Sequence, residues 1–263
     1  MKNLSSILIK RNTVNMSLFI AFLTLSVCMP QQTQAQTDDI KATDLVGAWT
    51  TTFTQGDTTF TQVSIVDPAY VSVSIFNEEE KVFYGTYGGS WILDGNQLAL
   101  TFEFNTIAAE AVGTTQTSEI MLEDGRIRFA ESELSWNRID DGTPGELSGA
   151  WLITGRKRDG EIRSRTPGVR KTMKILSGTR FQWIAYNTET KEFRGTGGGT
   201  YTTIDGKYTE TIEFFSRDSS RVGAVLPFDF SLEEGAWHHS GLSSKGQPIY
   251  EIWTLRTELD GGE

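Results

Sequence analysis

Residues 195–214 read GTGGGTYTTIDGKYTETIEF, and residues 85–104 read GTYGGSWILDGNQLALTFEF. Set one above the other, the two stretches share a glycine-rich run, an Asp-Gly turn and an alternating Thr-x-Glu-Phe end. They lie 110 residues apart. The same offset relates Phe76-Asn77 to Tyr186-Asn187 and the turn Glu123-Asp124-Gly125 to Glu233-Glu234-Gly235. Upstream, Leu45-Val46-Gly47-Ala48-Trp49 returns as Leu147-Ser148-Gly149-Ala150-Trp151. Order and spacing persist together, which is the signature of a duplicated domain. The copies span 44–140 and 146–258, joined by the Gly- and Pro-containing linker 141–145.

Within each copy the pattern is that of short strands. Tyr208-Thr209-Glu210-Thr211-Ile212-Glu213-Phe214 alternates with period two rather than 3.6. The second copy predicts eight strands, near 148–156, 168–176, 179–187, 192–203, 206–216, 226–233, 235–241 and 249–256, with turn residues between them. Eight antiparallel strands in about 100 residues suit a small closed up-and-down barrel. The expected fold is therefore all-β: two tandem antiparallel β-barrels, with a β-sandwich as the structural alternative. The glycine runs at 85–89 and 195–199 lack the Lys-Ser/Thr of a phosphate loop and precede no helix pattern. They predict a bulge or a barrel bend.

The start of the chain reads as an export signal. Lys2, Lys10 and Arg11 precede a 14-residue apolar stretch, Met16 to Met29, and Thr33-Gln34-Ala35 offers small-residue cleavage. Residues 1–35 are thus expected to be a cleaved signal peptide, followed by a linker at 36–43, with a tail at 259–263. Leu25-Ser26-Val27-Cys28 offers a competing reading as a lipobox, in which the protein is lipid-anchored through Cys28. Either reading places the protein in the periplasm or outside the cell, and no later segment is apolar enough to span a membrane. Cys28 is the only cysteine among 263 residues, so the mature chain has no disulfide, thiol nucleophile or cysteine-ligated metal. Apolar burial must supply its stability.

The whole chain carries 24 basic and 34 acidic residues, and loss of Lys2, Lys10 and Arg11 with the leader takes the net charge from −10 to −13. That balance argues against general nucleic-acid binding. The charge is uneven: residues 36–146 hold 19 acids and 5 bases, whereas 147–263 hold 15 and 16.

Gly-x-Trp at the start of a small barrel resembles the lipocalin and wider calycin pattern. The run Gly195–Tyr201 and the end Gly241–Gly246 are similar to the lipocalin-like domains of exported Bacteroidetes proteins. The resemblance implies a Trp closing each barrel base with an Arg from the last strand packed across it. Trp49 with Arg138, and Trp151 with Arg256, stand at the matching places. It also implies a ligand in the barrel.

Comparison of the copies locates that ligand. Leu98, Leu100, Phe102 and Phe104 form one apolar face, which becomes Tyr208, Glu210, Ile212 and Phe214. Val71, Val73 and Ile75 become Phe181, Trp183 and Ala185, and Ile127 and Phe129 become Trp237 and His239. The second interior is more aromatic and more polar, and a buried Glu or His needs a partner. The candidate ligand site is Phe181, Trp183, Glu210, Ile212, Trp237 and His239, taking a small hydrophobic or amphipathic molecule. The first copy reads as a filled, structural barrel. A module of filled barrels serving protein interaction is one alternative. The other is an isomerase or hydrolase using Glu210 and His239 as an acid–base couple, although no nucleophile motif is present. Glu213 and its counterpart Glu103 fall on the outer face, where they would be solvated.

His238-His239 is not read as a metal site, because neighbours on a strand face opposite ways, and no cofactor motif occurs. The segment 156–180 concentrates Arg156, Lys157, Arg158, Arg163, Arg165, Arg170, Lys171, Lys174 and Arg180 against Asp159 and Glu161. This basic segment could meet an anionic ligand or partner, dock on the acidic first copy, or be a solvated loop.

Overall fold

The computed structural model describes residues 40–243 and 245–260. The leader, its cleavage site and Cys28 lie outside the described residues. Among the described residues, no helix is long and apolar enough to cross a membrane.

The chain forms two closed, eight-stranded antiparallel β-barrels in tandem. The first comprises β1 (Gly47–Gln55), β2 (Thr58–Val66), β3 (Tyr70–Asn77), β4 (Val82–Asp94), β5 (Gln97–Asn105), β6 (Thr115–Glu123), β7 (Arg126–Phe129) and β8 (Ser135–Asp140), with β8 closing onto β1. The second comprises β9 (Gly149–Arg158), β11 (Arg170–Leu176), β12 (Arg180–Asn187), β13 (Phe193–Ile204), β14 (Lys207–Phe215), β15 (Val225–Glu233), β16 (Ala236–Leu242) and β17 (Pro248–Leu255). Strand β17 closes onto β9. An extra strand, β10 (Glu161–Ser164), pairs with the far end of β9 and was not expected from the sequence. Helices are short: Ala42–Leu45 before β1 and Arg256–Asp260 after β17, the latter reaching into the expected tail.

Each barrel has its own core. Trp49, Val73, Trp91, Ile120, Ile127 and Trp136 fill the first. Trp151, Ile153, Phe181, Tyr208, Ile212, Trp237 and Trp253 are among those filling the second. The indoles at the Gly-x-Trp positions are anchored alike: Trp49 donates to the Leu45 carbonyl at 2.8 Å and Trp151 to the Leu147 carbonyl at 2.9 Å.

The glycine runs are bulges. Strand register shifts between Gly88 and Gly89, and again between Gly198 and Gly199. A Cβ at Gly89 would stand 1.9 Å from the Thr101 carbonyl oxygen, and one at Gly199 would stand 2.0 Å from that of Thr211. Only glycine permits that approach. Each bulge turns the end of the next strand over. The sequence reading of Phe104 and Phe214 as interior is therefore corrected: both lie outside their barrels, on the surface where the two meet.

That meeting surface has an approximate two-fold pattern. Phe104 packs on Tyr186 with ring centroids 5.0 Å apart, and the counterpart pair Phe214 and Phe76 is stacked at 4.9 Å. At its centre Gln182 donates to Thr86 and Thr196, both at 2.9 Å, and these two threonines hold the same position in the repeat. Ile65 and Tyr70 of the first barrel pack with Ala150, Leu152, Met173, Ile175 and Ile184 of the second.

The resemblance-based pairing of Arg with the base Trp holds in one copy and fails in the other. The Arg138 guanidinium lies 4.0 Å from the Trp49 ring centre and donates to the carbonyls of Val46 and Asp44. Arg256 instead turns into the interface. It lies 3.9 Å from the Tyr70 ring centre and donates to both Glu103 oxygens, at 2.7 and 2.5 Å. It also meets Asp260 at 2.9 Å, and Asp260 accepts the Tyr70 hydroxyl. Glu103 is thus on the outer face, as expected, but it is buried in the interface rather than solvated. Although burial pushes its carboxyl up, the Arg256 hydrogen bonds and charge hold it below the usual range. Its counterpart Glu213 pairs with Arg180.

Candidate functional site in the second barrel

Of the six residues singled out from sequence, Phe181, Glu210, Ile212, Trp237 and His239 are buried and Trp183 is partly buried. They belong to one interior. The sequence reading lacked their central member. Lys174, on β11, sends its ammonium across the barrel to Glu210 on β14 at 2.9 Å, with the two side chains only 5% and 6% exposed. The ammonium lies 4.8 Å from the ring centres of Tyr208 and Trp237, 5.3 Å from Trp253 and 5.9 Å from Phe228. A carboxylate and four π faces therefore surround the ammonium group. Glu210 is met by the protein itself, and Lys174 leaves the basic surface segment to which its sequence neighbours assigned it.

The alternation of β11 explains why Lys174 was misplaced. Thr172, Lys174 and Leu176 share one face, and Met173 and Ile175 the other. The apolar pair faces the first barrel, so the more hydrophobic side of this strand points out of its own barrel. A polar-out reading inverts such a strand. One signal was present: Lys174 is paired with Trp151 as Ser64 is with Trp49, one repeat earlier.

His239 lies beside this cage, 4.2 Å from Phe228, 5.4 Å from Trp237 and 5.7 Å from Tyr208, ring centre to ring centre. No hydrogen bond joins it to Glu210, whose carboxylate is held by Lys174 instead. Burial, aided by the Lys174 charge, lowers its pKa, so the imidazole is kept neutral. His238 points the other way and meets the Tyr250 hydroxyl at 2.7 Å.

His239 begins a ladder across neighbouring strands. His239 is paired with Glu251, Glu251 with Arg156, and Arg156 with Arg163. The Nδ1 of His239 is 3.5 Å from one Glu251 oxygen, and Arg156 reaches the other at 3.0 Å. Side-chain exposure climbs from 2% to 14%, 43% and 61% along this row, so the row leads from the core to the basic rim. Against the upward push of burial, the His239 contact and the charges of Lys174 and Arg156 hold the Glu251 carboxyl low.

The interior holds unused donors. The Trp237 and Trp253 indole nitrogens are buried without a hydrogen-bond partner, and an indole N–H can only donate. Burial and the nearby Glu210 raise the Tyr208 pKa well above its usual value, so the phenol keeps its proton. In the first barrel, by contrast, the Trp49 and Trp91 indoles both donate to backbone carbonyls.

No known protein family matches this chain, and no curated protein resembles it in sequence.

Proposed function

We propose that this is an exported, lipocalin-like binding protein whose second barrel takes a small amphipathic molecule with a carboxylate or carbonyl head. The observation that carries this reading is the surplus of buried donors around Lys174. An indole can only donate, and a buried donor left unpaired costs about 1–3 kcal/mol. A ligand head that supplies acceptors to Trp237 and Trp253 offsets that cost. The aromatic walls, including Phe181 and Trp183, take its apolar part, at about 25 cal/mol per Å² removed from water. Arg156 and Arg163 at the rim attract an acid from solution. The leader read at 1–35 supports a periplasmic or secreted setting, with the lipid anchor at Cys28 as its variant.

The test is native mass spectrometry of mature protein isolated from a bacterial periplasm, followed by denaturation and identification of what is released. The chain is also offered a panel of medium-chain fatty acids and aromatic acids. The expected result is one stoichiometric adduct that is lost in a Trp237→Phe, Trp253→Phe double variant of unchanged fold. No adduct from either source would overturn the proposal. It would favour the second reading, a protein-interaction module of filled barrels, to which the Lys174 side chain lying across the interior already lends support.

A further inference from the structure

The copies differ most in one hairpin. In the first barrel β2 is a single strand, paired with β1 along its whole length. In the second the matching strand is split into β10 and β11, and residues 165–169 leave the sheet between them. Gly47 is paired with Val66, but Gly149 with Leu176, so the second hairpin is about eight residues longer.

The split opens a groove of about 400 Å³ on the outer wall of the barrel. Its floor is Thr154, Ile252, Thr254 and Leu259, and its rim is Ser164, Arg165 and Thr166. The rim is fixed to the floor: the Arg165 amide donates to the Thr154 carbonyl at 2.7 Å, and the Thr154 and Thr254 hydroxyls share a 2.9 Å hydrogen bond. The Arg165 guanidinium donates to the Arg170 carbonyl at 2.9 Å. Among the described residues neither Arg165 nor Arg170 forms an ion pair, and the nearest paired cations are Arg156 with Glu251 and Arg163 with Asp159. Partial burial, and then the like charges of Arg156 and Arg170, hold Arg165 below the usual arginine range. Uncompensated positive charge held beside hydroxyl donors is complementary to an anion.

We infer that this groove is an oxyanion site, with Arg165 as charge partner and the Ser164 and Thr166 hydroxyls as further donors to a carboxylate, sulfate or phosphate group. It goes beyond the reading of the barrel interior and shares none of its donors. Isothermal titration of the mature chain with sulfate, phosphate, acetate and glucuronate tests it, with ionic strength held constant by chloride. Saturable one-to-one binding is expected. Arg165→Ala weakens it at least tenfold, and Arg158→Ala, in the same hairpin but outside the groove, leaves it unchanged. Arg165→Lys retains part of it and shows that the hairpin still folds. Binding that chloride matches, that Arg165→Ala leaves intact, or that Arg158→Ala lowers equally would overturn the site in favour of a diffuse basic field. Glucuronate binding tenfold tighter than acetate assigns the oxyanion to a sugar carrier, and equal binding assigns it to a free anion; both support the site. The Trp237→Phe, Trp253→Phe variant keeps this titration, so the two readings fail separately.

Discussion

Where the first barrel places Ser64 beside its base tryptophan, the second places Lys174, and where the first has Leu100 facing inward the second has Glu210. One backbone plan thus carries both an interior held by aliphatic and aromatic packing and an interior built around a buried ion pair. The first barrel demonstrates that the plan closes without the charges. The second therefore retains them at a cost, since removing two ions from water consumes most of what their attraction returns. Lys174→Met is expected to destabilise the protein by about 3–5 kcal/mol, because it strands a buried carboxylate. Lys174→Met combined with Glu210→Leu, which moves the site toward the first barrel's composition, should restore most of that loss or exceed wild type. Urea unfolding midpoints measure both. A double variant as unstable as the single one would mean that the cage is needed for closure, and the contrast between the barrels would then be one of architecture.

A second contrast separates the two terminal arginines. Arg138 lies on its own barrel's tryptophan, whereas Arg256 bridges to Glu103 of the other barrel, with Tyr186 and Asp260 completing the cluster. Arg256→Ala should cost about 3 kcal/mol, somewhat less than the loss of Lys174, because Glu103 keeps the Tyr186 hydroxyl. The same cluster gives an acid dependence. The Glu103 pKa is lowered on folding, so its contribution is complete above the unfolded carboxyl pKa and is lost as pH falls through the folded value. Stability curves of wild type and a Glu103→Gln variant should therefore converge in acid. If Arg256→Ala costs no more than the matching change at Arg138, the arginine's relocation would carry no stability.

The sequence carried the barrels almost completely, because duplication doubled every signal: a turn or a Gly-x-Trp that is weak once is hard to dismiss when it returns in the same order. It failed wherever a strand presents an apolar face to the other barrel. Phe104, Phe214 and Lys174 were misplaced for that shared reason, since alternation reports which face is buried but not against what. The bulges at Gly89 and Gly199 were foreseen as bends, yet their consequence, the turning over of the following phenylalanine, depends on a one-residue register shift that no composition shows. Five of the six candidate interior residues proved deeply buried, while Glu251 was missed, and Arg156 was read only as part of the basic segment, because they join the site across strand pairs distant in sequence.

The histidine separates the barrels by pH. The first has none, and the second buries His239 in its neutral form. With the folded pKa below the unfolded 6.5, the unfolded chain binds more protons between those two values, so stability rises with pH across that window and falls on acidification through it. The slope from this one residue is bounded at about 1.4 kcal/mol per pH unit. Wild type minus His239→Phe, followed by thermal unfolding from pH 7.5 to 5, should show it, and a flat difference would mean that the imidazole takes up its proton without leaving the core.

The smallest expected effect is at Arg138, which lies on the Trp49 ring of its own barrel. Its guanidinium is exposed, so the contact with the Trp49 face is worth roughly 0.5–1 kcal/mol, and solvent can replace the donors lost to Val46 and Asp44. Arg138→Ala should thus lower stability by about 1 kcal/mol, near the limit of an unfolding measurement. Arg138→Lys is the sharper variant, because it keeps the charge but loses the planar surface that lies on the indole. If lysine restores the alanine loss, charge near the two carbonyls is what matters at this end of the barrel. If it does not, the flat stacking contact is what the first barrel kept when the second turned the same residue to joining the halves.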